Sequence, residues 1–232
     1  MAWPLSGVFS PLAERSAQVF LSDGTRRSYR LEVLELGTLS VPSGRLLACD
    51  PFVTMPEGVI IEIPPGVYPV KVTIADVSDE QDASHLREAY LSLLISDETF
   101  DSYGPTVAPG EDPPPPDQFY GVPVDAGTVA FVDEICARTL MPEGDVHHDI
   151  FDSGRPDSWF NQMDSDAPLP GGYANIRLPL AQHDENIILS HSGWGDGHYP
   201  VIATRDKKGQ LIGVHIDLGV VGDFRKSAAA RG

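Results

Sequence analysis

Proline and glycine punctuation constrains this chain more than any other feature. Its 232 residues include 21 prolines and 22 glycines, set at short intervals through the apolar runs. Segments cut this often cannot build long helices, so the pattern predicts short strands. Strands are expected at Tyr29 to Leu36, Gly44 to Cys49, Val59 to Ile63, Tyr68 to Ala75, Ala89 to Ser96, Ile187 to Ser190, Val201 to Arg205 and Leu211 to Leu218. One main helix is expected near 127–140, where Val129, Val132, Ile135, Cys136 and Leu140 recur at helical spacing before Pro142 and Gly144. Asp125 stands where its N-cap would be, and Asp133 and Glu134 fall on its polar side. The expected fold class is α+β, predominantly antiparallel β, as a sandwich or partly open barrel.

The apolar share of 41% is enough for one sizeable core, so residues 1–232 are expected to form a single globular domain. Irregular loops are expected at 104–120, around the proline run Pro113 to Pro116, and at 144–172, with a helical turn around Trp159 and Phe160. Thirty-four acidic residues against 16 basic ones give a net charge of -18. That balance speaks against nucleic acid and anionic membranes as partners, since both are bound through clustered Lys and Arg. It suits divalent cations, a basic protein partner, or solubility alone. Cys49 and Cys136 sit among apolar neighbours, as buried reduced thiols do. The start, Met-Ala-Trp-Pro-Leu, lacks the pattern of a secretory signal, and no run approaches a membrane span, so the expected setting is cytoplasmic.

The strongest candidate site is His191-Ser192-Gly193-Trp194-Gly195-Asp196-Gly197-His198, where glycines leave one carboxylate unhindered beside a tryptophan. The hairpin after it refines the geometry. If its strands pair about Asp206-Lys207-Lys208-Gly209, Thr204 faces Leu211, Val201 faces Val214, Pro200 faces His215, and His198 faces Asp217. Tyr199, Val201 and Ala203 then share a greasy face with Ile212, Val214 and Ile216, while His198, Pro200, His215 and Asp217 share the other. Imidazoles beside carboxylates serve as metal ligands, as a base with its orienting acid, or as a plain polar patch.

Catalytic candidates are therefore Asp196, His198, Asp125 and Asp217. Candidates for substrate contact are Trp194 as a stacking platform, the backbones of Gly195 and Gly197, the Gly127 and Thr128 amides, and Arg45 for a carboxylate or phosphate. Asp196 and Asp125 are the candidate ligands of a divalent metal. Nucleophile-elbow, phosphate-loop, dinucleotide-binding and zinc-protease motifs do not occur, and the Asp196 loop lacks the later ligands of an EF-hand. His147 and His148 are adjacent and so point in different directions.

Four segments in order carry a family resemblance: Ser43-Gly44-Arg45 with Ala48-Cys49-Asp50-Pro51; Pro64-Pro65-Gly66-Val67-Tyr68-Pro69-Val70; Val124-Asp125-Ala126-Gly127-Thr128 with Asp133; and Ser192-Gly193-Trp194-Gly195-Asp196-Gly197 with Tyr199-Pro200-Val201. Together they resemble the bacterial domain of unknown function numbered 4241, from about Gly37 onward. The resemblance implies no reaction; it implies that Asp50, Asp125, Asp133, Trp194 and Asp196 belong to one framework.

Two functions follow as expectations. One is a hydrolase acting on a phosphate- or ribose-containing small molecule through the carboxylate and histidine pocket, with a divalent metal as a possible aid. The other is an acidic immunity or antitoxin-type protein that neutralises a basic protein partner.

Overall fold

The computed structural model describes residues 9, 11–12, 15–21, 24–115 and 118–222. Among them are thirteen strands: β1 (Arg15–Phe20), β2 (Arg26–Val41), β3 (Arg45–Cys49), β4 (Val59–Glu62), β5 (Gly66–Asp76), β6 (Leu86–Leu94), β7 (Ser102–Pro105), β8 (Gly121–Val124), β9 (Thr128–Asp133), β10 (Tyr173–Arg177), β11 (Asn186–His191), β12 (Gly197–Arg205) and β13 (Leu211–Asp217). Two short helices, α1 (Glu134–Thr139) and α2 (Trp159–Asp164), and a π-helical turn at His147–Phe151 complete the regular structure. Every described strand pairing is antiparallel. Each of the eight expected strands is present. Of the loop expected at 104–120, Gly104 and Pro105 belong to β7 and Pro113 to Pro115 lie outside the described strands and helices, while Pro116 and Asp117 fall outside the described residues.

The larger sheet runs β1-β2-β5-β6-β13-β12-β7, with β8 joined to β12, and the smaller runs β10-β11-β9-β3-β4. The two stack, and the period-2 alternation of the smaller sheet feeds two cores at once. Leu46, Ala48, Val129, Phe131 and Ile188 face the larger sheet and join its Val70, Val72, Leu91, Leu93, Val214 and Ile216. Leu47, Cys49, Ala130, Val132, Ile187 and Leu189 face the other way, against Cys136, Phe151, Trp159 and Met163 of the helical segments. The smaller sheet is thus the middle of three layers.

That middle position corrects the expected helix near 127–140. Residues 128–133 are β9, buried at every position because both faces are covered, and a strand of that kind reads as an unbroken apolar run. Only Glu134–Thr139 is helical, and its N-cap is Asp133, whose side chain accepts the Cys136 N–H; Asp125 has no part in capping it. Asp133 and Glu134, placed by that expectation on the polar side of the helix, are both buried. In the 144–172 loop, Ser158 caps α2 around Trp159 and Phe160.

Strand β2 outruns its neighbour β1, which pairs only with Arg26 to Leu31. Farther along that edge, from Leu36 to Ser40, two asparagines of the smaller sheet substitute for a strand. Asn175 Nδ2 donates to Leu36 O, Asn186 Nδ2 donates to Thr38 O, and Ser40 N donates to Asn186 Oδ1. The bulge at Gly37 (φ 101°) makes this approach possible, since a Cβ there would lie 2.6 Å from the Asn175 amide.

Candidate functional site

Pairing of β8 with β12 sets Val124 opposite Gly197 and Pro123 opposite His198. Asp125 and Asp196, the next residue on each strand, are therefore neighbours at the tip of this ribbon, and both are exposed. Their loops are tied by backbone: Ser192 N donates to Gly127 O, and a methyl group on Gly127 would lie 3.9 Å from the Gly195 Cα. Ser192 Oγ and Tyr199 Oη both donate to Gly195 O at 2.7 Å, which fixes the turn from inside. Gly193 is demanded by packing and by φ 70°, because a Cβ would sit 2.4 Å from the Glu88 carbonyl. Gly195, by contrast, faces open space.

Beneath the tip is a residue that the reading of the sequence left in the framework, Asp50. Its side chain is fully buried; Oδ2 accepts the N–H groups of Asp125 and Ala126, and Oδ1 accepts that of Phe52. A buried carboxylate needs such donors, and these clamp the Asp125 loop to the start of the loop after β3. Asp50-Pro51 carries no local sign of this reach across 75 residues. Thr128 is buried beside it, with Oγ1 donating to Ala126 O. Trp194 is half-buried against the main core, with the Arg87 guanidinium 5.7 Å from its ring centroid, so a cation already occupies one side of the expected platform.

Arg45 lies at the other end of β3 from Asp50. Its Nε donates to Glu134 at 2.9 Å, and Glu134 also bonds to Arg138, which reaches Glu57. Burial works against the Glu134 charge, but Arg138 and Arg45 outweigh it and hold the carboxyl below its ordinary range. Beside this network, Asp133 accepts the Ser43 N–H and hydroxyl through Oδ2. Arg45 and Asp133 thus organise the α1 end of the smaller sheet and stand apart from the tip.

The hairpin keeps the expected faces but slips by two residues. Arg205, not Thr204, faces Leu211, and a bulge between Thr204 and Arg205 sets Thr204 opposite Gly213, Ile202 opposite His215 and Val201 opposite Ile216. A slip of two preserves which side each residue faces. The polar face holds His215 and Asp217 as expected, but it is buried, and His198 is not on it, because this part of β12 has moved on to pair with β8. His198 stacks on Phe119 with ring centroids 5.3 Å apart; desolvation on that side lowers its pKa, against an opposing hydrogen bond at Gly121.

On the buried face His215 bridges two hydroxyls, Ser92 Oγ at Nδ1 (2.9 Å) and Thr204 Oγ1 at Nε2 (3.0 Å). Thr204 Oγ1 is within reach of Gly213 O, so a consistent chain runs from the Ser92 hydroxyl to Nδ1, from Nε2–H to Thr204, and from Thr204 to the carbonyl. The imidazole in that chain is neutral, and burial pushes its pKa down to about 3. Burial pushes Asp217 up to about 7, against the Gly219 N–H that its Oδ1 accepts. The four catalytic candidates therefore divide: Asp125 and Asp196 together and exposed at the tip, His198 beside Phe119, Asp217 within the sheet.

Among the described residues, no three His, Cys, Asp or Glu side chains are grouped to hold a metal. Cys49 and Cys136 are buried free thiols, their pKa values raised chiefly by burial. Among the described residues, no helix is long and apolar enough to cross a membrane. No curated protein and no solved structure matches the chain. A family model does match, over residues 39–216, and that stretch takes in the tip, its Asp50 anchor, the Asp133 network and the His215 face. The chain belongs to the family described as "Protein of unknown function (DUF4241)".

Proposed function

We propose that this chain is an acidic binding protein of the immunity or antitoxin type, which engages a basic protein partner around the Asp125 and Asp196 tip. The observation that carries the reading is the meeting of two loops that each expose a carboxylate, Asp125 and Asp196, and that a buried Asp50 and the Ser192 and Tyr199 hydroxyls hold in one shape. A preformed acidic tip loses little order on binding, and the net charge of -18 steers a basic partner toward it. The same charge disfavours nucleic acid and anionic membranes. Two buried free thiols fit the reducing cytoplasm that this reading assigns to the protein.

A specific observation also favours a hydrolase. The open space at Gly195, next to Asp196, leaves room for a metal-bridged phosphate- or ribose-containing ligand. Immobilised protein used to capture partners, followed by association kinetics with the captured protein, separates the two. The binding reading expects an association rate that falls several-fold with rising salt and in the Asp125→Asn/Asp196→Asn double variant. Thermal stabilisation by magnesium or manganese with ADP-ribose, lost in Asp196→Asn, would transfer the assignment to the hydrolase.

A further inference from the structure

The buried face of the larger sheet floors a cavity of about 290 Å³, near the lower bound for small-molecule sites. Its walls include Phe9, Leu12 and Phe100, its floor is Thr204 and His215, and Glu98 stands at its rim. Phe9 stacks on Tyr103 at 4.8 Å and meets Phe100 edge-on at 6.3 Å, so the aromatic wall is a packed cluster. The mouth is unusually greasy for a surface, with Leu12 37% and Phe100 40% exposed.

The floor narrows the choice of occupant. In either tautomer the His215 N–H and the Thr204 hydroxyl hydrogen are engaged within the Ser92–His215–Thr204 chain or at Gly213 O, so the floor offers no donor to an anion, and the Ser96 hydroxyl is the side-chain donor left among the described lining residues. Among the described lining residues there is no Lys or Arg, and the one formal charge is the exposed Glu98 carboxylate, which has no ion-pair partner among the described residues. Aromatic rings with a carboxylate at the rim suit an organic cation: the apolar body against Phe9 and Phe100, the ammonium toward Glu98. We infer that this cavity is a binding site for a small arylalkyl or alkyl ammonium compound, separate from the Asp125 and Asp196 tip.

Titration of the full chain with phenethylammonium, 2-phenylethanol and phenylacetate tests this, read by calorimetry. Saturable phenethylammonium binding, roughly tenfold tighter than that of the alcohol and with no binding of the carboxylate, is expected. Glu98→Gln and Phe100→Ala, both at exposed positions, should each weaken it several-fold, and Asp196→Asn should leave it unchanged. The inference is overturned by absent or non-saturable binding, by equal affinity for the three probes, by binding that both rim variants retain, or by binding that Asp196→Asn abolishes.

Discussion

The tip and the buried face are built in opposite ways. At the tip the backbone is irregular and the carboxylates Asp125 and Asp196 are in solvent; on the face the backbone is regular strand and the ionisable groups His215 and Asp217 are sealed in. Two clues used to find working sites, unusual backbone around a charge and displaced pKa values, usually coincide. Here they part company. The irregular loops carry exposed charge, and the displaced pKa values follow from burial within ordinary sheet.

The sharpest way to break this contrast is at Asp50. Asp50→Ala removes a fully buried carboxylate and the three charge-assisted hydrogen bonds it accepts, and should cost about 3–5 kcal/mol in urea unfolding. A loss below about 1 kcal/mol would mean that the tip keeps its shape without its anchor. Next comes Asp217→Asn. Because the folded-state pKa of Asp217 is raised to about 7 from 3.8, the folded protein holds this proton more tightly, and the wild type loses stability as pH rises through that interval. Asparagine removes the penalty while keeping an acceptor for Gly219, so the variant should be more stable by roughly 2–4 kcal/mol at pH 8, with the gain vanishing near pH 4. His215 contributes the opposite slope: its pKa is lowered from 6.5 to about 3, so its contribution is present above pH 6.5 and is lost as pH falls toward 3.

Smaller again is Gly213→Ala, whose Cβ would lie 2.8 Å from both His215 Nε2 and Thr204 Oγ1. Overpacking there should cost about 1–3 kcal/mol, with the His215 ring resonances displaced in NMR. Smallest is the Asp125→Asn/Asp196→Asn double variant, expected to change stability by less than about 0.5 kcal/mol because both residues are exposed. A larger loss would make the tip as structural as the face.

Particular residues show how much of this was legible in the sequence. Alternating, turn-bounded strands such as Tyr68 to Ala75 were readable because one periodicity explained them. Residues 128–133 were not, since a strand covered on both faces has no polar side to alternate with, and Val129 and Val132 then matched a helix by accident. The hairpin faces were readable by parity, but the register was not: neither the bulge after Thr204 nor the change of partner along β12 leaves a local mark. His198 was misplaced for that second reason. At the tip, the glycines and Asp196 announced themselves, while Asp50 was hidden because its donors lie far along the chain.

The asparagine seam beside β2 bears on how this protein behaves in a crowd. A strand edge that projects past its neighbour offers unpaired carbonyls and amides to any other extended chain, and is a common start for aggregation. Asn175 and Asn186 occupy those groups at Leu36, Thr38 and Ser40 with side-chain amides that no incoming strand can extend. What joins the two sheets therefore also closes the Leu36 to Ser40 part of the longest described strand to strand addition.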